Sequence, residues 1–373
     1  MGRRAAWWTR WGGWAATVAA VAGIGCDRGE PSAGAAAQPA PSAAQPAAAP
    51  VASKPRFGSA EPTPKPAGAL RFATYNIENL FDDQDDPDLF GDYEDIDDTK
   101  PAAHAEAAAA AIRRINADVL ALQEVESEAA LRAFRDAYLS DLGYEHLASI
   151  DAGDPRGIEQ AVLSRYPIVE VKNWPRLELG GVHPEKWGDQ PNYNAGKPLT
   201  FHRSPLMVVV RVPGQGDAAA NGASRQPYEL TIFVVHQKSG RDGDYWRRAE
   251  AVKTIELAAE LTREDPDRNI VIAGDFNAVY RDAPMQAFRD AGYIDAFDVG
   301  RTPGPEYISH ASGRRIDFIL LNPAVAKEFI AETRFVLGMP TRPEGADWRT
   351  TPPPPGYASD HFPVVVDLMP VDR

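Results

Sequence analysis

Asp275 and Asn277 close the segment 270–278, IVIAGDFNA, where a β-branched run meets a glycine and then two side chains able to act on a ligand. Ile270, Val271 and Ile272 read as a buried strand bounded by a turn signal. Residues i and i+2 of an extended chain face the same side, so this carboxylate and amide could address one ligand. Gly-Asp-Phe-Asn is also ordinary turn chemistry, and the segment alone does not decide between the two. The pattern recurs, however. Asn76 follows FATY, Glu124 follows VLALQ, His236 follows TIFVV, Asp317 precedes FILL, and Asp360 and His361 precede FPVVV. Ligands of α/β sheets bind at strand ends and the loops beyond them.

The inventory selects among reactions. Oxygen donors such as Glu124, Asp360 and Asn76 suit Mg2+, Mn2+ or Ca2+ better than zinc. Histidines beside carboxylates suit proton transfer and phosphate contact. No Gly-rich phosphate loop with a following Lys and Ser/Thr is present, and no GxSxG elbow, which disfavours an NTPase and a serine esterase. Metal-assisted attack of water on a phosphate ester uses the available groups best. Cys26 is the only cysteine, so an intrachain disulfide and a cysteine-based zinc site are both excluded. The net charge of −14 argues against a broad basic surface for nucleic acid, but not against local binding of a phosphodiester through a metal ion.

These residues must be positioned by strands and helices, and both patterns are present. RFATYNIENL, 118–122, GIEQAVLSRYPIV, SPLMVVVRV, YELTIFVVHQ, IVIAG, RRIDFILLN and FPVVVDL read as strands. Helices are expected from Pro101, over EAALRAFRDAYLSDLG, over DYWRRAEAVKTIELAAELTRE, and near 284–292. The interleaving points to a mixed-sheet α/β domain over 70–370, with an apolar content of 44% supplying its core. Residues 1–26 read as a signal peptide: Arg3, Arg4 and Arg10 precede a short apolar run that ends in Gly23, Ile24, Gly25 and Cys26, like a bacterial lipobox. Cys26 is then the lipidated residue, with ordinary secretion or a short membrane anchor as alternatives. The Ala/Pro-rich segment 27–69 reads as a disordered tether. The acidic run DDQDDPDLFGDYEDIDD (82–98) lacks the spacing of an EF-hand, and a solvated loop is expected there in preference to a calcium loop.

TYNIEN, LQEVE, VVHQKSG, AGDFNA, RRIDFILLN and SDHFPVVV, in this order, resemble the motif set of the endonuclease/exonuclease/phosphatase superfamily. That superfamily includes pancreatic-type deoxyribonucleases, abasic-site endonucleases, neutral sphingomyelinases and inositol-polyphosphate 5-phosphatases. The resemblance covers about 70–370 and implies a four-layer sandwich, two packed mixed β-sheets flanked by helices, with the site at one end. Carried over by motif, Glu124 binds a divalent metal and Asn76 supports that site, with Asp360 a further carboxylate near the metal. Asp275 orients or deprotonates the attacking water, and Asn277 holds the scissile phosphate. Asp317 pairs with His361, fixing its tautomer and raising its basicity. His236, where abasic-site enzymes carry a tyrosine, contacts phosphate or protonates the leaving oxygen. Glu159 stands where deoxyribonucleases keep a glutamate that buttresses this histidine.

Lys238 and Arg203 are candidate substrate contacts, against the readings of a surface lysine and an arginine paired to a loop carboxylate. Arg247 or Arg248 is a further candidate, and Trp174, Trp187 and Trp348 are expected to pack rather than touch substrate. NIENLFD, the acidic loop and HQKSGRDGD look most like secreted or envelope bacterial nucleases of the superfamily. The expectation is a phosphodiesterase dependent on Mg2+ (or Mn2+, with Ca2+ a further option), endonuclease-like on extracytoplasmic DNA or RNA and lipid-anchored in the envelope. No protein partner is implied. The alternatives are a sphingomyelinase-like phospholipid phosphodiesterase, a phosphomonoesterase, or a non-catalytic envelope lipoprotein that only binds.

Overall fold

The computed structural model describes residues 55–87, 89–90, 93–214, 227–298 and 303–371. In chain order these residues form β1 (Leu70–Leu80), α1 (Ala102–Ile115), β2 (Val119–Val125), α2 (Glu128–Tyr138), β3 (His146–Ser149), β4 (Glu159–Ser164) and β5 (Ile168–Asn173). Four short strands follow, β6 (Glu178–Val182), β7 (Lys186–Trp187), β8 (Gln190–Pro191) and β9 (Pro198–Thr200). Then come β10 (Leu206–Val212), β11 (Tyr228–His236), α3 (Asp244–Glu264), β12 (Asn269–Asp275), α4 (Ala283–Asp290), β13 (Ile294–Asp295), β14 (Asp317–Leu321), α5 (Pro323–Ala326), β15 (Phe335–Val336) and β16 (Val364–Leu368). Local chemistry sets the helix ends. The Ser127 hydroxyl accepts the Ala130 N–H to cap α2, and Asn116, at φ 50°, ends α1 in the left-handed conformation that asparagine tolerates.

Two mixed six-stranded sheets carry the fold, one ordered β15-β16-β1-β2-β4-β3 and the other β13-β14-β12-β11-β10-β5. They pack face to face with helices outside, the expected four-layer sandwich. The period of two decides where each strand's residues go. Leu230, Ile232 and Val234 of β11, Val271 and Ala273 of β12, and Ile319 and Leu321 of β14 join the inter-sheet core. Their neighbours Phe233, Val235, Ile270, Ile272, Phe318 and Leu320 pack in a second cluster with Trp246, Leu257, Met285 and Phe288 of α3 and α4. His236, Asp275 and Asp317 continue the inner rows, so the strands aim these three side chains into the mouth of the gap between the sheets.

Two expectations are corrected. The run GIEQAVLSRYPIV is not one strand: β4 lies in the first sheet and β5 on the edge of the second, and the chain changes sheets at 165–167, where Pro167 has no N–H to continue a ladder. The tether boundary at 69 also falls too late. The Ser59 N–H donates to the Val336 carbonyl (2.7 Å), Lys65 pairs with Asp118 (2.8 Å), and Phe57 packs near Phe362, so the segment from 55 onward belongs to the domain. The signal peptide, Cys26 and the first part of the tether lie outside the described residues. Among the described residues no helix is long and apolar enough to cross a membrane.

Candidate active site

Ladder register sets the centre of the site. His236 on β11 pairs with Asp275 on β12, which pairs in turn with Asp317 on β14, placing three polar side chains in adjacent positions across one sheet. Gly274 lets this happen: at φ 144°, a Cβ there would lie 1.9 Å from the Val235 carbonyl oxygen. Six non-glycine residues among those described have left-handed backbones, and four of them, Glu78, Asn79, Glu124 and Asn277, stand where β1, β2 and β12 open into the cleft. Such strain concentrates where side chains must be held for function. The cleft has a volume of about 590 Å³, with Glu124, His236, Asp275, Asn277, Asp360 and His361 in its lining.

His361 Nδ1 lies 3.0 Å from both Asp317 oxygens, and the Ser309 hydroxyl donates to Asp317 Oδ2 at 2.7 Å. Burial opposes the imidazolium, but Asp317, Asp275 and Asp360 outweigh it and hold the His361 pKa well above its ordinary value. His236 is the opposite case. Burial, reinforced by the Arg203 guanidinium, holds its pKa well below the ordinary value, leaving a neutral ring. Its Nε2 faces Asp275 Oδ2 (3.5 Å) and Glu124 Oε1 (3.7 Å), which favours the proton on Nε2, while buried Nδ1 has no hydrogen-bond partner. Burial pushes the Asp275 carboxyl up to about 6, against the pull of His361. The site thus holds a charged histidine, a neutral one and a carboxylate with a near-neutral pKa, a division suited to acid–base work.

Asn277 donates its backbone N–H to Asp275 Oδ1 (2.8 Å) and its amide to Asp275 Oδ2 and the Gln237 carbonyl (3.1 Å each). Asn76 donates to Glu124 Oε1 (3.0 Å) and Asp275 Oδ2 (3.3 Å) while its own Oδ1 accepts the Glu78 N–H, so it orients carboxylates and does not offer its oxygen to the cleft. The Asp360 carboxyl is held well below the usual range although burial pushes the other way, because His310 bonds it at 3.1 Å and His361 lies close. Burial and Asp360 raise Glu78 to about 7, and its Oε2 accepts the Tyr357 hydroxyl at 2.8 Å. Lys100, the cation amid Glu78, Glu124 and Asp360, donates instead to the carbonyls of Ile77, Glu78 and Ala358. Crowded oxygen donors whose nearest ammonium is held by carbonyls fit a hard divalent cation. Two close groupings of candidate ligands, His310/Asp360/His361 and Asp275/Asp317/His361, are already joined by histidine–carboxylate contacts.

Three expected roles change. Glu159 lies on β4, turns sideways to accept the Ser149 hydroxyl on neighbouring β3, and has no bond to His236, whose Nδ1 is unpartnered; the buttress is not formed. Arg203 lines the cleft, but it is buried and its guanidinium already donates to Asp154 (2.7 Å) and to the His236 and Gln237 carbonyls (2.9 Å each), so it fixes the end of β11. Lys238 donates to the Ser239 carbonyl and lies over Trp187, outside the cleft lining. Arg247 holds the Lys238 and Gly240 carbonyls, while Arg248 is exposed and away from the cleft. Trp174 stacks on Phe233 as packing, whereas Trp348, 66% exposed, stands in the cleft wall. Sequence reasoning missed Glu78, though it lies inside NIEN, and His310, which only a bridge to His361 brings to the site.

The sequence profile described as the Endonuclease/Exonuclease/phosphatase family matches residues 73–361. Among solved structures, the human nocturnin catalytic domain with bound sulfate is similar at 14% identity and a TM-score of 0.50, over 84% of this chain and 98% of that one. A Bacteroides thetaiotaomicron mannosyl-6-phosphatase is similar at 18% identity and a TM-score of 0.49, over 80% and 99% of the two chains. Truncated Caenorhabditis elegans TDP2 is similar at 13% identity and a TM-score of 0.46, over 80% and 97%. At these identities the likeness is one of fold. No curated protein matches the chain.

Proposed function

The chain belongs to the endonuclease/exonuclease/phosphatase family of phosphoric ester hydrolases, and from that premise we propose that it cleaves phosphodiester bonds with the help of a divalent cation, nucleic acid being the favoured substrate. The observation that carries this reading is the convergence of His236, Asp275, Asn277 and His361 with Glu124 in one cleft. Asp275 accepts the proton of the attacking water, and the amides of Asn76 and Asn277 hold its carboxylate in place. Asn277 meets a phosphate oxygen by exchanging its bond to the Gln237 carbonyl. His361, kept positive by Asp317, stabilises negative charge growing on the phosphoryl group, and neutral His236 donates a hydrogen bond from Nε2 to a phosphate oxygen while keeping its proton. Glu124, oriented by Asn76, and Asp360 would hold Mg2+ or Mn2+, which when bound neutralises charge on the phosphoryl and leaving oxygens.

The rim supports a polyanion. Arg156, Arg342 and Arg56 line the cleft together with Trp348, cations for phosphates beside an aromatic face for a base, with Arg56 also paired to Glu344 (3.0 Å), Arg156 bonded to Asn79 (2.9 Å) and Arg342 to the Thr351 carbonyl (2.8 Å). The test is incubation of the purified protein with plasmid DNA, RNA, sphingomyelin and a panel of phosphomonoesters. We expect nicking of nucleic acid that EDTA abolishes and Mg2+ or Mn2+ restores. Cleavage confined to monoesters or to lipid overturns the substrate assignment, and no hydrolysis of any ester overturns the mechanism. The envelope location is likewise a proposal, resting on residues 1–26 alone, and labelled palmitate incorporated by the parent protein but not by Cys26→Ser tests it.

A further inference from the structure

The acidic loop between β1 and α1 is largely exposed among its described residues, as expected of a solvated charge run, with one exception. Asp95 is only 2% exposed. Its Oδ2 accepts the Asp86 N–H at 2.9 Å, whereas its Oδ1 is buried without any hydrogen-bond partner. A buried carboxylate oxygen with nothing to bond is costly unless a cation meets it. One oxygen each from Asp85, Glu94 and Asp95 lies within 4.8 Å of the others. From the strand side comes Glu126, 8% exposed, whose Oε2 accepts the Asp82 N–H at 2.8 Å. The Glu126 and Asp95 carboxyl groups lie side by side, within hydrogen-bonding reach of each other. None of the four carboxylates pairs with a lysine, arginine or histidine among the described residues; Arg156, which shares a small cavity with Asp95, bonds Asn79 instead.

We propose that Asp85, Glu94, Asp95 and Glu126 form a calcium site distinct from the phosphate cleft. Ca2+ bonds oxygen at about 2.3–2.6 Å, so its ligands lie up to roughly 5 Å apart, matching this cluster, whereas Mg2+ at about 2.0–2.1 Å requires a tighter octahedron. The ligands come from a loop and from the chain just beyond β2, which is why no EF-hand spacing announces them. Glu124 and Glu126 would face one side of a regular strand. The left-handed Glu124, φ 63°, breaks that alternation and lets one carboxylate serve the cleft and the other this loop. The ion ties the loop between Asn79, in the cleft wall, and Lys100, which holds the carbonyls of Ile77 and Glu78. Its effect is to stiffen the end of β1 on which the cleft is built.

The experiment is calorimetric Ca2+ titration of the full chain in saturating Mg2+, with thermal unfolding alongside, for the parent protein, Asp95→Asn and Glu126→Gln. We expect one Ca2+ per chain, with Kd on the order of 10−5 to 10−3 M, and a Ca2+-dependent rise in melting temperature that Mg2+ does not reproduce. Both variants should bind Ca2+ about tenfold or more weakly and lose that rise, while remaining folded by circular dichroism. Asp85→Asn, on an exposed residue, gives the same reading should either buried variant fail to fold. Absence of Ca2+ binding over the Mg2+ background, or binding unchanged in the folded variants, overturns the site. Neither result bears on the phosphodiesterase reading, because the cleft is read separately through Mg2+-dependent hydrolysis.

Discussion

Replacing Asp317 by Asn separates charge from shape in the proposed site. Both carboxylate oxygens lie 3.0 Å from His361 Nδ1, and Ser309 anchors one of them, so the amide fits the same space. What is lost is the largest influence opposing burial of the imidazolium. A hydrogen bond to a charged group contributes about 1.5–3 kcal/mol, which at about 1.4 kcal/mol per decade predicts a roughly 10- to 150-fold fall in kcat/KM. The fall approaches about 10⁴-fold if the new NH2 turns toward Nδ1 and selects the other tautomer. The pH profile provides the second readout. In the parent protein His361 stays protonated well above its ordinary pKa, so the alkaline limb set by its deprotonation lies high; in Asp317→Asn that limb moves toward lower pH. Stability follows the same sign: the raised folded pKa contributes stability below the unfolded value of about 6.5, and this is lost as pH rises through the folded value, a slope the variant flattens. The assay is initial-rate hydrolysis of bis(p-nitrophenyl) phosphate across pH at saturating Mg2+, with denaturant melts. A kcat/KM within about threefold of the parent and an unmoved alkaline limb would falsify the assigned pairing.

Glu159→Gln should leave kcat nearly unchanged, because Glu159 bonds Ser149 and not His236. Burial raises the Glu159 carboxyl to about 7, so its contribution to stability is lost as pH rises from the ordinary carboxylate range through that value; urea midpoints of the Gln variant should slope less there, and a large fall in kcat would restore the catalytic role. Arg203→Ala strands the buried Asp154 carboxylate, and we expect about 3–5 kcal/mol of destabilisation by chemical denaturation. A raised KM without loss of stability would instead make Arg203 a substrate contact. Gly274→Ala drives a Cβ into the Val235 carbonyl oxygen at a φ that side chains avoid, so a loss of at least about 3 kcal/mol is expected. A soluble Ala variant with the parent's denaturation midpoint contradicts that reading.

Much of the site was legible because strands advertise themselves. Apolar rows ending in His236, Asp275 and Asp317 carry the period of two, and that period alone places each polar residue on the inner face of its strand. The errors have physical sources. Glu159 was assigned by motif position, but a side chain at the start of β4 reached sideways to β3. The run 157–169 looks continuous because apolar residues recur in both the buried β4 and the exposed edge strand β5, and nothing local marks the change of sheet except Pro167. His310 carries no periodic signal, since it lies outside the named strands and is placed by isolated bridges to Arg314 and His361. The acidic loop reads as solvated by composition and is mostly exposed, but composition gives no sign that Asp95 within it is buried.

By itself, then, the sequence determined the strands, their inner and outer faces, and the chemical types waiting at their ends, because backbone alternation and side-chain polarity are local properties. The tertiary structure alone decided which ends meet and in what charge state. His361 and His236 are the same residue type, yet one is held positive by Asp317, Asp275 and Asp360 and the other neutral by burial and Arg203. Desolvation and the sign of the nearest charge come from segments far apart in the chain, and only folding brings them together.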